Sequence, residues 1–275
     1  GLLEYVEVKE KLEDIGGLQN LKNWLSQRRL AFTERAREFG LPSPKGALLM
    51  GVQGCGKSLS AKAVASLYEM PLLRLDMGVI FGSYVGESEA HIRQALTLAQ
   101  SVSPCVLWID EIDKGLSGLK GTGSSDSGTT QRVFGTLVTW MQENPKPVFV
   151  VATANNIRVL PPEILRKGRF DEIFFVDLPQ AEVREKIFAI HLSRVGRDPK
   201  DFELSTLAEL SEGFSGAEIE ASVTAGLFRA LNEDRDLEAG DVVAAIGETF
   251  PLSNTMREEI KQIRDWAHGR ARNAE

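Results

Sequence analysis

One eight-residue segment constrains the fold of this chain more than any other feature. The run Gly51-Val52-Gln53-Gly54-Cys55-Gly56-Lys57-Ser58 matches the pattern G-x-x-x-x-G-K-[ST] in full. A short apolar run, 47–50, precedes it, and a helical pattern, 58–69, follows it. Glycines let the backbone wrap closely around phosphate oxygens, and the following helix adds the positive end of its dipole. This position predicts a phosphate-binding loop rather than a glycine-rich turn that binds nothing.

The residues of this loop have separate expected roles. Lys57 is expected to contact the β- and γ-phosphates of a nucleotide, and the Ser58 hydroxyl is expected to ligate Mg²⁺. Cys55 is either a redox handle or an inert small residue at a variable position. The predicted nucleotide contacts of the loop and the first helical turn are Gly51, Gly54, Cys55, Gly56, Lys57, Ser58 and Leu59.

A second motif places two carboxylates at the end of an apolar strand. The run 105–109 is followed directly by Asp110 and Glu111. A buried strand of this kind delivers both side chains to the C-terminal edge of a parallel sheet, where ligands bind in doubly wound folds. Asp110 is expected to hold Mg²⁺ through its water shell, and Glu111 to polarise an attacking water as a general base. Exposed acids at a strand end are the alternative, which the complete phosphate loop disfavours.

The order of elements predicts an α/β fold in two parts. Apolar strands alternate with helical patterns up to about residue 178, which implies a parallel sheet with helices on both faces. After Pro179 only helical patterns follow. We expect a P-loop NTPase domain over 14–178 and a small all-helical lid domain over 179–275. Residues 1–13 are expected to be an N-terminal extension, truncated because the chain begins without Met.

The predicted elements follow from hydrophobic periodicity. The predicted strands are 47–50, 72–75, 106–109, 148–152 and 173–176. The predicted helices are 18–39, 58–69, 88–100, 181–195, 204–211, 215–231, 238–246 and 256–266. Ser215 with Glu218 forms a predicted capping box at the start of one lid helix.

Composition excludes some classes of partner and location. The formal net charge is −7, from 32 Lys and Arg against 39 Asp and Glu, which gives no general attraction to nucleic acid or to an anionic membrane. With Cys55 and Cys105 as the only cysteines, a disulfide framework is not expected and a reducing compartment such as the cytoplasm is the default. No apolar run approaches membrane-spanning length, so no membrane partner is expected.

In this order, the motifs resemble those of the AAA+ ATPases, specifically the AAA subfamily in the strict sense, over roughly residues 14–246. The strings SPCVLWIDE at 103–111 and SGTT at 127–130 are similar to those of AAA ATPases encoded in cyanobacterial and plastid genomes. The resemblance implies ATP and Mg²⁺ as cofactors, ATP hydrolysis, and assembly into a homo-oligomeric, hexameric ring. It also implies the plastid stroma as an alternative to the cytoplasm.

The resemblance assigns nucleotide-site roles outside the loop. Asp14-Ile15-Gly16-Gly17 resembles the segment whose backbone frames adenine, and Ile190-His191 resembles the lid pair near ribose and adenine. Ser215-Gly216-Ala217-Glu218 is similar to the sensor 2 segment, which in this subfamily carries Gly-Ala rather than Arg. Asn155 falls at sensor 1, between the γ-phosphate and the water. His191 packing inside the lid and Asn155 acting as a turn former are the alternatives.

The segment 165–171, which reads LRKGRFD, resembles the arginine-finger segment of the family. Arg166 and Arg169 would then reach the γ-phosphate bound by a neighbouring subunit. From the residues alone, surface charges or partners of a helix C-terminus are the favoured interpretation of both arginines.

Tyr84-Val85-Gly86 resembles the first pore loop of the family, whose aromatic tip grips a peptide. The alternative is a turn in which Tyr84 packs locally, and Phe81 is a second candidate for the gripping aromatic. The Gly- and Ser-rich segment 115–128 is predicted to be a mobile loop that holds the second pore loop.

Three functions remain open from the sequence. The first is a ring that remodels or unfolds a protein client, whose identity the sequence does not give. The second is an ATP-dependent assembly factor or regulatory switch that binds a partner without threading it. The third is a nucleic-acid-handling loader, which the net acidity disfavours.

Overall fold

The computed structural model describes residues 1–82, 86–114 and 126–275, with residues 126 and 127 described by their backbone alone. Within that part of the chain, seven strands form one sheet in the spatial order β1-β3-β4-β5-β2-β6-β7. The strands are β1 (Leu3–Val6), β2 (Gly46–Gly51), β3 (Leu72–Leu75), β4 (Cys105–Ile109), β5 (Val148–Ala154), β6 (Glu172–Val176) and β7 (Arg272–Asn273). Strand β1 runs antiparallel to β3, and the other neighbours are parallel.

Helices cover both faces of this sheet and build a separate cluster after it. They are α1 (Gln19–Arg28), α2 (Glu34–Glu38), α3 (Lys57–Tyr68), α4 (Met77–Phe81), α5 (Glu87–Val102), α6 (Asp126–Glu143), α7 (Pro162–Leu165), α8 (Ala181–Arg194), α9 (Leu204–Leu210), α10 (Gly216–Asn232), α11 (Ala239–Gly247), α12 (Leu252–Thr255) and α13 (Arg257–Ala267). Short 3-10 turns lie at Leu12–Asp14, Arg29–Phe32, Ile157–Val159 and Pro199–Asp201. The predicted α/β fold with flanking helices and a helical region after the sheet is confirmed.

The central strands are buried on both faces, as their continuous apolar runs predict. Successive residues of β2 point to opposite sides, so that Leu48 packs in one hydrophobic cluster and Leu49 in the other. Helices α5, α6 and α13 contribute to the cluster around Leu48, and α1 and α3 to the cluster around Leu49. Because helices hold both faces in place, the carboxyl ends of β2, β4 and β5 meet at one rigid edge.

A third hydrophobic cluster lies in the helical region after the sheet. Its buried residues come from α8 to α11 and include Phe188, Leu207, Ile219 and Val242. The capping box predicted at the start of α10 is present, with the Ser215 hydroxyl accepting from the Glu218 N–H. The lid predicted from periodicity thus has a core of its own.

The structure corrects the predicted helix over 18–39. Helix α1 ends at Arg28, a 3-10 turn follows, and Thr33 adopts an extended conformation with φ −83° and ψ 159°. The Thr33 hydroxyl then accepts from the Ala36 N–H at 3.3 Å and caps the separate helix α2. A side chain that caps a new helix competes with helix continuation, and periodicity alone does not detect this.

Both ends of the chain join the sheet. Strand β1 lies within the predicted extension over 1–13 and pairs with β3. Helix α13 buries Ala267 in the cluster around Leu48, and β7 pairs with β6. The sheet therefore includes residues from both the predicted extension and the predicted lid over 179–275.

Two sequence predictions fall mainly outside the described residues. Tyr84 and Val85 of the predicted pore loop lie outside them, and so does most of the predicted loop over 115–128. Gly86 has φ +102° and immediately precedes α5. In the described part of the chain, no helix has the length and apolar character needed to cross a membrane.

Candidate nucleotide-binding site

The phosphate loop begins where β2 ends. Gly51 has φ +143°, and a Cβ at this position would lie 2.0 Å from the carbonyl oxygen of Val176 on the neighbouring strand β6. Gly56 has φ +95° and stands immediately before α3, so the chain enters the helix from a left-handed conformation. These two glycines explain how the predicted motif turns from a fully buried strand into a helix N-terminus.

Lys57 is held at the mouth of the loop in a buried position. Its side chain is buried, and Nζ donates to the carbonyl oxygens of Gly51 at 3.1 Å and Val52 at 2.6 Å. Burial lowers the pKa of the Lys57 ammonium to about 8. Two carbonyl oxygens are weak compensation for a buried cation, so an anionic ligand in the loop would stabilise the charged form.

Cys55 lies within the phosphate loop and is half-buried. Burial raises the pKa of this thiol to about 12. Since the thiolate is the reactive form of cysteine, a thiol that stays protonated at neutral pH is a poor nucleophile. Of the two interpretations of Cys55, this favours the small residue that fills a variable position.

A hydrogen-bond network joins the loop to the two acids after β4. Asp110 Oδ1 accepts from the Ser58 hydroxyl at 2.8 Å and from the Thr153 hydroxyl at 2.8 Å. The Thr153 oxygen in turn accepts from the backbone N–H of Glu111 at 2.8 Å. Because β4 and β5 are parallel neighbours, Thr153 lies directly opposite the start of the acidic pair. Sequence analysis missed Thr153, which is recognisable only once the strand register is known.

Glu111 and Asn155 are brought together at the same edge. Glu111 adopts φ +48°, and its Oε1 accepts from Asn155 Nδ2 at 3.1 Å. Its Oε2 forms an ion pair with Lys114. Asp113 accepts from the backbone N–H groups of Asn155 at 3.2 Å and Asn156 at 2.9 Å, which fixes the end of β5. This contact also restrains Asn155, so the turn-former interpretation and the sensor interpretation are compatible here.

The oxygen atoms at this edge suit Mg²⁺. The Ser58 hydroxyl and the Asp110 carboxylate meet at 2.8 Å. Across residues 1–82, 86–114 and 126–275, no group of three or more His, Cys, Asp or Glu side chains is arranged to hold a metal ion. Mg²⁺ prefers oxygen ligands and usually binds through one or two protein groups together with phosphates and water. The donor set therefore fits a metal that enters with a nucleotide, held by Ser58 and Asp110.

A cavity of about 430 Å³ extends from the phosphate loop to the helical lid. Thirteen of the predicted site residues line it: Ile15, Gly16, Gly54, Cys55, Gly56, Lys57, Ser58, Leu59, Glu111, Asn155, His191, Gly216 and Ala217. Ile15 is buried, and a Cβ at Gly16 would lie 2.5 Å from Ile187 Cγ1 on α8. The backbone at Gly16 therefore packs directly on the lid, leaving an apolar slot beside it.

Polar contacts tie the lid to the loop and to the segment Asp14–Gly17. The backbone N–H of Ala217 donates to the carbonyl oxygen of Gly54 at 3.0 Å. Arg194 on α8 lies 3.6 Å from the carboxylate of Asp14. His191 Nδ1 is 3.9 Å from Glu220 Oε1, and burial lowers the pKa of this imidazole. Burial thus favours the neutral imidazole of His191, which lines the cavity.

The C-terminal strand reaches the same end of the cavity, which sequence analysis did not detect. Glu275 Oε2 accepts from the backbone N–H of Leu18 at 2.7 Å. The carbonyl of Ala274 accepts from the N–H of Leu21 at 3.0 Å, at the start of α1. Both Asn273 and Glu275 line the cavity. No local motif predicts these contacts, because they join residues more than 250 positions apart.

The two predicted finger arginines lie elsewhere. Arg166 is exposed and Arg169 is half-buried, and neither is among the described residues that line the cavity. Arg169 Nη1 donates to the Lys167 carbonyl at 3.4 Å. In the orientation in which the Gln142 amide oxygen faces Arg169, that oxygen accepts from the same nitrogen at 3.0 Å. Both arginines therefore lie apart from the cavity as the described residues of this chain form it.

Comparison with known proteins identifies the family. The model of the family described as ATPase family associated with various cellular activities (AAA) matches residues 47–178. The chain is 51% identical over 275 residues to the uncharacterized AAA domain-containing protein ycf46 of Pyropia yezoensis, covering 99% of this chain and 56% of that protein. A protein of the same name in Guillardia theta is 49% identical over 269 residues, which are 97% of this chain and 52% of that protein.

A more distant sequence relative and a solved structure are also similar to this chain. The cell division cycle protein 48 homolog of Archaeoglobus fulgidus is 38% identical over 216 residues, which are 77% of this chain and 29% of that protein. The crystal structure of the FIGL-1 AAA domain has a TM-score of 0.77 and 24% identity, covering 98% of this chain and 92% of that one, and shows the same fold. This chain belongs to the AAA family of ATPases, for which nucleotide binding and ATP hydrolysis are general properties. It spans about half the length of the ycf46 proteins.

Proposed function

We propose that this chain hydrolyses ATP in the cavity between the sheet edge and the lid, with Mg²⁺. The observation that carries the proposal is the convergence of Lys57, Glu111 and Asn155 on one cavity, with Ser58 and Asp110 in direct contact beside it. Lys57 binds the phosphates, while the Gly54–Gly56 backbone and the N-terminus of α3 surround them. When bound, Mg²⁺ neutralises charge on the phosphate oxygens.

Glu111 acts as the general base and Asn155 orients the attacking water. Asn155 Nδ2 donates to Glu111 Oε1 at 3.1 Å, so both groups face one position beside the phosphate loop. The ion pair with Lys114 holds the Glu111 carboxylate in this position. A water beside this pair would accept from the second N–H of the amide and donate to the carboxylate.

The direct test is phosphate release from ATP by this chain with Mg²⁺ and with excess EDTA. We expect steady turnover with Mg²⁺ and its loss with EDTA, while Asn155→Ala should impair turnover far more than nucleotide affinity. Turnover that survives EDTA would contradict the Mg²⁺ requirement. Loss of nucleotide affinity together with unfolding of Asn155→Ala would identify Asn155 as a structural cap.

We propose further that the active species is a homo-oligomeric ring, most simply a hexamer, in which Arg166 and Arg169 act on a neighbour's nucleotide. The support is their position away from the cavity of their own subunit and the exposure of Arg166. A trans arginine is worth about 10³–10⁵ in rate in the GTPases that use one, and we expect less here.

Mixed rings test this arrangement. Arg166→Ala subunits keep a complete cavity but lack the finger, whereas Lys57→Ala subunits keep the finger but lack phosphate binding. Mixing the two should restore part of the turnover that each lacks alone. Mixtures that stay inactive, with specific activity independent of protein concentration, would favour a cis mechanism or a structural role.

For the biological role we propose remodelling or unfolding of a protein client through a central pore, in the plastid stroma or the cytoplasm. The support is the pore-loop-like Tyr84-Val85-Gly86 in a chain of this family. An aromatic tip grips varied sequences through apolar area. Tyr84→Ala should therefore keep basal ATP hydrolysis and lose client processing, with the client captured first on a Glu111→Gln trap. Unchanged client processing with lower thermal stability would favour the non-threading switch.

A further inference from the structure

A row of three side chains crosses the sheet beside the proposed metal site. Arg74 on β3 is paired in register with Glu4 on β1 and with Trp108 on β4. Residues in register on neighbouring strands point to the same face of a sheet. The row therefore runs from the edge strand β1 towards Asp110, which follows β4 two positions after Trp108.

The charged end of Arg74 is shared between two carboxylates. Nη1 lies 3.7 Å from Glu4 Oε2, and Nη2 lies 4.0 Å from Asp110 Oδ2. The guanidinium carbon stands 5.2 Å from the centre of the Trp108 ring. Asp110 Oδ1 is already occupied by the hydroxyls of Ser58 and Thr153. Arg74 thus places a positive charge near Oδ2 of Asp110, the carboxylate oxygen that those hydroxyls do not contact.

The contacts indicate an electrostatic rather than a hydrogen-bonded role. Both distances exceed a hydrogen bond, and Arg74 Nε has no hydrogen-bond partner. The Arg74 side chain is 38% exposed and that of Asp110 17%, so the interaction is partly screened by solvent.

We infer that Arg74 is a positioning residue that lowers the affinity of Asp110 for Mg²⁺, and that Glu4 moderates this effect by sharing the guanidinium. The inference rests on the proposed function, because it assumes that Asp110 holds the metal. A cation beside a metal-binding carboxylate competes with a divalent ion for the same negative charge. Through Glu4, the edge strand β1 has a route to influence the metal site.

The experiment measures Mg²⁺ binding without measuring turnover. The chain is loaded with the fluorescent nucleotide mant-ADP in EDTA, and free Mg²⁺ is then titrated while nucleotide fluorescence and affinity are followed. Arg74→Met removes the positive charge, and we expect the Mg²⁺ midpoint to fall about three- to tenfold. Glu4→Gln removes the moderating carboxylate, and we expect the midpoint to rise about twofold. Arg29→Met removes a charge from an exposed pair with Glu69 and should leave the midpoint unchanged.

The opposite directions of the two variants separate this role from a structural one. If Arg74 only covers Trp108, both substitutions would leave the midpoint unchanged or shift it in the same direction, and either result overturns the inference. Should Arg74→Met fold poorly, Arg74→Gln and the independent Glu4→Gln shift still decide the question. Wild-type chain that binds no mant-ADP, or that shows no response to Mg²⁺, would overturn the proposed function and the inference with it. Normal wild-type titration with unshifted variants would overturn the inference alone.

Discussion

The two halves of the cavity are built in different ways. The half around the phosphate loop is called the phosphate half, and the half at the lid, where the proposed function places the nucleotide base, is called the base half. The phosphate half consists of Lys57, Glu111 and their neighbours at the ends of β2, β4 and β5, three adjacent parallel strands. The base half combines Asp14–Leu18, the lid helices α8 and α10, and the C-terminal strand with Glu275. The first is determined by sheet register, and the second by the docking of segments that are distant in the sequence.

This difference has energetic consequences. The phosphate half contains buried charges and hydroxyls with defined partners, and removing one partner leaves a buried polar group unpaired. The base half offers apolar walls and a segment held by the hydrogen bond from the Leu18 N–H to Glu275. Each of these contributes modestly to nucleotide affinity. We therefore expect substitutions in the phosphate half to have large, specific effects, and those in the base half to have graded effects on nucleotide affinity.

The largest expected effect comes from the phosphate loop. Lys57→Ala should lower the affinity for ATP and for inorganic tripolyphosphate by about a hundredfold or more, because it removes the cation that the proposed function places on the phosphates. Titration calorimetry with both ligands measures this, with the exposed Lys261→Ala as the control. If Lys57→Ala kept its affinity for tripolyphosphate, the assignment of phosphate binding to this half of the cavity would be contradicted.

A smaller effect is expected from Thr153→Val. This change removes the hydroxyl that bonds both Asp110 and the N–H of Glu111, leaving that N–H unpaired. Phosphate release should fall about ten- to a hundredfold and the free energy of unfolding by about 1–3 kcal/mol, with nucleotide affinity little changed. Thr153→Ser keeps the hydroxyl and should restore most of the turnover. Equal loss in the Ser variant would assign the effect to packing of the methyl group.

The smallest effect is expected in the base half. Glu275→Ala removes the acceptor for the Leu18 N–H and loosens the segment that lines the base end. Affinity for ATP and ADP should fall about three- to tenfold, while affinity for tripolyphosphate stays unchanged. Glu259→Ala, an exposed glutamate on α13, is the matched control. A parallel loss of tripolyphosphate affinity would show that the two halves are coupled.

The same contrast explains how far the sequence could predict the structure. Two contiguous motifs contain Lys57, Ser58, Asp110 and Glu111. Because the backbone conformation of each motif fixes where its side chains lie, the grouping of these residues was predictable. Asn155 needed the family resemblance, because an amide at a strand end has no unique meaning on its own.

The residues that were missed depend on non-local contacts. Thr153 acquires its role from the pairing of β4 with β5, and Arg74 from its register with β1 and β4. Glu275 reaches the cavity because β7 pairs with β6. Hydrophobic periodicity reports which face of an element is buried, but it does not report strand order or where a terminal segment docks. The single predicted helix over 18–39 was wrong for a local reason instead, because periodicity did not detect the cap at Thr33.

The central claim is that Glu111 activates the water that attacks ATP. Phosphate release and ATP binding measured side by side on Glu111→Gln test it most directly, with the exposed Glu38→Gln as the charge-matched control. The account predicts ATP affinity close to that of the wild-type chain and a turnover lower by about 10²–10⁴-fold, because the amide retains the shape but not the basicity of the carboxylate. Wild-type turnover in Glu111→Gln would contradict the assignment.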